Sequence, residues 1–460
     1  MPPIVALTLC TIFVLFILRL ERKQYPDASL SLWVPTIWLL LVTSKPLAIW
    51  FGRGGTSMVE GSALDRTVLS ILFALGLLII IKRNFNWGSA LKQNPWVMLL
   101  IGFMLVSVLW SDIPYTSFKR WIRQLIAVVM VFLVASERDP RQALQSLFRR
   151  TIYILIPFSL LLIKYYPYYG VEYGRWSGGL MWVGVTTQKN GLALLCLFAL
   201  FYLVWTLFRR LQGRDVSVVR YQTYIEIFIL LLAIWLFTGP QHTITCSATS
   251  TVALIIGLVL LTGLLWLKKH NIIISANAFT ILIAAIIVYG TVTPFVGELM
   301  FYDPSAALDR EETLTGRVDI WTNLLPYALQ KPILGNGFGG FWTDAMRRVA
   351  TSSNAHNGYL DTILNTGFAG LIFWSMFLIS NCRKAQRLMT QDFYWGILWF
   401  CFLLMAVVHN IAESSVISFT GLLPAILLFM VITSPTVDSK QAEFKKRNSR
   451  LLPIKALKNY

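Results

Sequence analysis

The chain is poor in charge and poorer still in acid: 13% of its 460 residues are charged, and 22 Asp and Glu stand against 40 Lys and Arg. With 56% hydrophobic residues and a mean hydropathy of +0.63, there is too little polar surface for a water-covered globule of this size. Cysteine is scarce and scattered. Cys10, Cys196, Cys246, Cys382 and Cys401 show no paired spacing, which leaves neither a disulfide framework nor a zinc site. The four histidines form no HExxH or similar ligand motif, so no metal is expected unless His242, His356 and His409 converge in space. The net charge of +18 is spread over short loops and a tail rather than gathered on a base-reading element, which argues against nucleic acid. It fits topology and attraction to anionic lipid heads.

What the chain has is long apolar runs. About thirteen stretches of roughly 16–22 residues, the length that crosses a hydrocarbon core, recur from residue 4 to residue 433. Such runs satisfy their backbones as helices. The expected fold is therefore all-α: a polytopic membrane protein of about 12–13 transmembrane helices with one large extracytoplasmic loop. Residues 1–290 hold the first ten spans, 291–357 the loop, 358–433 the last three spans, and 434–460 a basic tail. The first run lacks a basic segment before it and is followed by Arg19, Arg22 and Lys23, so it reads as a retained helix rather than a cleaved signal. Lys and Arg favour one set of loops by about two to one, which puts residues 291–357, with the 164–190, 239–250 and 409–418 loops, outside the cytoplasm.

The polar, glycine-rich stretch from Thr313 to Gly370 is where chemistry is expected. Residues Arg317 to Leu329 read as an amphipathic helix with Thr315 as N-cap and Ile320, Trp321, Leu324, Leu325 and Ala328 on one face. Pro326 is a possible kink, and Lys331-Pro332 ends the helix. Arg317 then lies in the first turn, where it either binds an anion or pairs with an acid such as Asp319. Gly335-Asn336-Gly337-Phe338-Gly339-Gly340 satisfies GxGxxG, but no β-strand precedes it, so it reads as an irregular turn rather than a dinucleotide site. His356 sits just before another apolar run, at a helix mouth, either as a hydrogen-bonded interfacial histidine or as a base for an attacking hydroxyl.

Three segments in order, Leu314–Trp321 with Thr315-Gly316-Arg317, Pro332–Phe338, and Ala355-His356-Asn357-Gly358-Tyr359-Leu360, resemble the signature of the O-antigen ligase and polysaccharide polymerase superfamily. Ile163–Pro167, Gly184–Gly191 and Ser247–Ser250 extend the resemblance upstream. It implies a membrane glycosyltransferase without cofactor or metal, in the bacterial inner membrane with its active face periplasmic. Such an enzyme moves a glycan from a polyprenyl-pyrophosphate carrier to a glycan or lipid-linked acceptor, as in lipopolysaccharide or exopolysaccharide synthesis. On this resemblance Arg317 matches the TGR arginine and would hold pyrophosphate, while His356 matches the HN histidine and would activate the acceptor. Lys189 and Arg175 are further phosphate candidates, and Arg120, with Lys119 and Arg123, another. The chain departs from the pattern at Val171, where members often carry arginine, and near Thr238-Gly239-Pro240, which lacks a Ser-Arg pair. The rival expectation is a flippase of the same lipid-linked glycan. Against it stand the large outer segment and the scarcity of intramembrane charge, chiefly Lys45 and Glu226.

Overall fold

A computed structural model describes residues 1–25, 28–52, 62–174, 178–213, 220–240, 247–272, 275–300, 314–350, 352–415 and 418–433. It is an α-helical membrane protein. Its main helices are α1 (Pro3–Gln24), α2 (Trp33–Thr43), α3 (Ala63–Lys82), α4 (Pro95–Val106), α5 (Pro114–Ala135), α6 (Pro140–Tyr165) and α7 (Lys189–Leu211). They continue with α8 (Arg220–Thr238), α9 (Ala248–Lys269), α10 (Ala276–Met300), α11 (Leu314–Gln330), α12 (Gly358–Gln391), α13 (Phe393–Ala412) and α14 (Leu422–Thr433). A two-stranded antiparallel ribbon, Val171–Tyr173 with Leu180–Trp182, is the one β element among the described residues.

Among the described residues each expected apolar run contains a helix, but they are not equal. Among the described residues nine helices are long and apolar enough to cross a membrane, or ten if Trp87–Gln93 and Pro95–Trp110, bent by 90°, form one span. This is fewer than the thirteen runs suggest, for physical reasons. Helices α2 and α14 have only 11 and 12 residues, and α5 carries Lys119, Arg120 and Arg123 in its first half. Helix starts follow local chemistry. Asp139 accepts from Arg141 N and Gln142 N ahead of α6, Ser247 caps α9, Asn357 caps α12 and Asp392 caps α13, while proline opens α4, α5 and α6.

Burial separates centre from rim. The most apolar stretch of α13 is 83% buried against 17% for α1, so α13, with α6, α7 and α14, forms the core, and α1 turns its apolar face outward to lipid. Polar pairs gather at opposite ends of the same helices. At one end lie Arg150–Glu21, Arg149–Glu226–Arg210, Arg83–Glu137 and Arg141–Asp392. At the other, Asn190 at the start of α7 meets Glu413 just past the end of α13.

Helix α12 is broken at Gly367 (φ 64°, ψ −171°). The loop after α11 fills the break: Phe368 N donates to Pro332 O (2.8 Å), Ala369 N to Ile333 O (3.1 Å), and Asn336 donates to Leu364 O through both its backbone N (3.2 Å) and Nδ2 (2.9 Å). The backbone groups that the break frees are satisfied by protein, which makes a broken helix tolerable at membrane depth. Only glycine permits the approach, since a Cβ on Gly335 would stand 2.6 Å from Gly367 N.

Candidate functional site

Helix α11 begins at Leu314, so Thr315 lies inside it rather than capping it, and Arg317 is still in the first turn as expected. Trp321, Leu324 and Ala328 are buried while Ile320 and Leu325 are half-buried, which confirms the apolar face. Pro326 is accommodated within the helix. The buried face packs under the segment that carries His356: Trp321 Nε1 donates to Ala355 O at 2.8 Å.

His356 has φ 49°, an uncommon left-handed backbone for a residue with a side chain. Its neighbours over-determine that shape. Ala355 N donates to Asp361 Oδ2 (3.0 Å), His356 N to Asn354 Oδ1 (2.9 Å), and Asn357 Nδ2 to Gly290 O (2.9 Å) and Ile411 O (3.0 Å). Buried Asp361 also accepts from Trp342 Nε1 (2.7 Å) and from Ser414 Oγ. The imidazole is thus set at the mouth of α12 by α10, α11, the glycine loop and the end of α13.

The group it faces is Glu413. Oε1 of Glu413 accepts from Arg317 Nη2 at 3.0 Å and from Asn190 Nδ2 at 2.9 Å, and His356 Nδ1 lies 3.4 Å from Oε2. Burial alone would raise the Glu413 carboxyl, but the His356 imidazole and the Arg317 guanidinium outweigh it and hold the group below its usual range. An ionised carboxylate there fixes both partners. His409, one turn back on α13, is buried between Ser250 Oγ (3.1 Å from Nε2) and Ser415 Oγ (2.5 Å from Nδ1) and braces the turn that carries Glu413.

Arg317 and His356, 39 residues apart in sequence, therefore meet through one carboxylate. The paired acid is Glu413 rather than the nearby Asp319. Lys189 opens α7, directly before Asn190, so it is brought to the same end of the molecule. Arg120 is placed differently: its Nη1 donates to Gly339 O and its stem fills the space beside Gly339, so it supports the glycine loop. That loop is the irregular turn the sequence suggests, with positive φ at Gly335, Gly337 and Gly339. Arg175 and His242 lie outside the described residues. Glu413 was missed because it is a single acid in a short Ala-Glu-Ser-Ser segment with no motif spacing. Its one signal was rarity, as an acid directly after an apolar run in a chain short of acids.

Chemically, the constellation offers a guanidinium able to grip phosphate oxygens and an imidazole whose Nδ1 faces a carboxylate oxygen at 3.4 Å, which leaves Nε2 as the atom to take a proton. Residues 242–375, which include Arg317 and His356, match the O-antigen ligase family model. Over 323 residues the chain is 23% identical to the exopolysaccharide production protein ExoQ of Rhizobium meliloti (strain 1021), an alignment covering 67% of this chain and 68% of that protein.

Proposed function

We propose that this chain, a member of the O-antigen ligase superfamily and a membrane protein of polysaccharide biosynthesis, transfers a glycan from a polyprenyl-pyrophosphate carrier to an acceptor sugar at the periplasmic face of the inner membrane. The observation that carries this reading is the Glu413 carboxylate standing between Arg317 and His356. Pyrophosphate is a good leaving group and arrives already activated, so the protein must hold the donor, stabilise the departing charge and prepare the nucleophile. In this reading His356 Nε2 accepts the proton of an acceptor hydroxyl as its oxygen bonds to the anomeric carbon. The bond from that carbon to the phosphate oxygen breaks, and polyprenyl pyrophosphate departs with its new charge held by Arg317 and Lys189. Arg175, in the same outer loop as Lys189, is a third candidate contact, and Arg120 acts from beneath the glycine loop. Glu413 orients the imidazole and stabilises its protonated form, as the carboxylate does in a catalytic triad. The 3.4 Å contact is long for a hydrogen bond, as is usual before substrate tightens a site.

The cationic work is assigned to side chains, so chelators should leave the rate unchanged; loss of activity in EDTA that is restored by a divalent ion would refute that assignment. The central test incubates purified protein with a defined polyprenyl-pyrophosphate glycan and candidate acceptors, with products identified by mass spectrometry. A transfer product is expected. No product from any acceptor, together with protein-dependent movement of the lipid-linked glycan across liposomes, would make the chain a flippase instead.

A further inference from the structure

A cavity of about 380 Å³ is lined by Leu7, Trp50, Ile154, Phe158, Leu162 and Tyr169 among others. The contributions of α6 fall at 154, 155, 158, 161 and 162, one apolar helical stripe that borders the cavity. Water has almost no hydrogen-bonding partners there, and a void of this size beside a bilayer does not stay empty. Hydrocarbon fits it.

The cavity has direction. Its upper end is an aromatic collar in which Trp50 and Tyr169 stack with centroids 5.7 Å apart, the amphipathic rings typical of a membrane interface. Ser44 and Val185 complete that end. Lys45, buried beside it, clamps the adjoining turn: its backbone N donates to Val185 O at 2.8 Å and its Nζ to Gly184 O at 3.0 Å and to Thr186 O. The clamped turn leads within a few residues to Lys189 and to Asn190, which holds Glu413. A chain lying in the cavity would therefore present its polar end to the cationic side of the site.

We propose that this cavity binds the first isoprene units of the lipid-linked donor, with Lys45 as a positioning residue that fixes the turn between chain and head group. The inference rests on the donor class proposed above; an acyl chain of a bilayer phospholipid has the same chemistry and is the alternative source. To separate them, p-benzoylphenylalanine is placed at Phe158 in the full-length protein, in nanodiscs containing phospholipid and a polyprenyl-pyrophosphate glycan. After irradiation the adduct is weighed, with Phe16, exposed on the lipid face of α1, as control. A polyprenyl adduct at 158 but not at 16, competed away by unlabelled polyprenyl pyrophosphate, is expected. Phospholipid adducts alone at 158 would overturn the inference, whether or not transfer occurs. In steady-state assays Ile154→Trp, which fills the cavity, should raise KM for a polyprenyl donor about fivefold with kcat little changed, and leave a donor whose pyrophosphate carries a methyl group in place of the isoprenoid chain unaffected. Equal effects on both donors would mean only general damage and would also overturn it. Lack of transfer by the wild type with a polyprenyl adduct still formed would instead refute the proposed reaction while leaving the lipid site standing.

Discussion

At the scale of single residues, the site turns on geometry more than on charge. Arg317→Lys keeps a cation but loses the planar fork that can bind a carboxylate and a phosphate together, so transfer should fall about tenfold or more, and Arg317→Ala further. Normal turnover by the alanine variant at unchanged protein level would remove Arg317 from the mechanism. His356→Gln should still bind the donor yet lose roughly 10²–10⁴ in rate if the imidazole is the base. Glu413 gives a test of a different kind. Its carboxyl is held below its ordinary value, so its contribution to stability is present above the unfolded carboxyl pKa and is lost as pH falls through the lower folded one. Wild type should therefore melt higher than Glu413→Gln at neutral pH, with the gap closing on acidification. A gap that is constant with pH would show that the ion pairs at Glu413 add nothing to folding. This residue also marks the limit of sequence reading: Arg317 and His356 are legible because they sit in recognisable runs, whereas Glu413 acquires meaning only when the end of α13 is folded against the starts of α7 and α12.

Among elements, the apolar helices were legible because their signal is length and hydropathy, both local properties. The breaks were not. Gly367 follows Asn365-Thr366 within a stretch that reads as one span, and only the docking of Pro332–Asn336 shows why α12 stops there and restarts. The same holds for Gly358, the first residue of α12, where an added Cβ would lie 1.9 Å from Asn410 Oδ1. Asn410 accepts from Ser415 N at 3.1 Å, so it cannot swing away without loosening the turn that carries Glu413. Gly358→Ala should then leave the protein folded but lower transfer, because the helix start that sets His356 and the turn that sets Glu413 are pushed apart. The measurement is kcat beside a melting temperature. Full activity in Gly358→Ala would show that the register of these two elements is not critical.

For the whole molecule, sidedness links the charge pattern to the chemistry. The arginine pairs of α6, α7 and α8 gather at the end opposite Arg317, His356 and Glu413, as the excess of Lys and Arg in alternate loops requires if those loops are cytoplasmic. On the proposed periplasmic orientation the candidate site would open to a compartment without nucleotide triphosphates, where an activated lipid-linked donor would be the available source of free energy. This placement is testable without any assay of transfer. In a variant lacking its five native cysteines, a single cysteine introduced at Ser352, four residues before His356, should react with a membrane-impermeant maleimide in cells whose outer membrane alone is permeabilised. A cysteine at Arg387, at the far end of α12, should react only after the inner membrane is lysed. The reverse pattern would turn the molecule over and put the site in the cytoplasm. The proposed periplasmic transfer would then fail however well the Arg317, His356 and Glu413 geometry suited it.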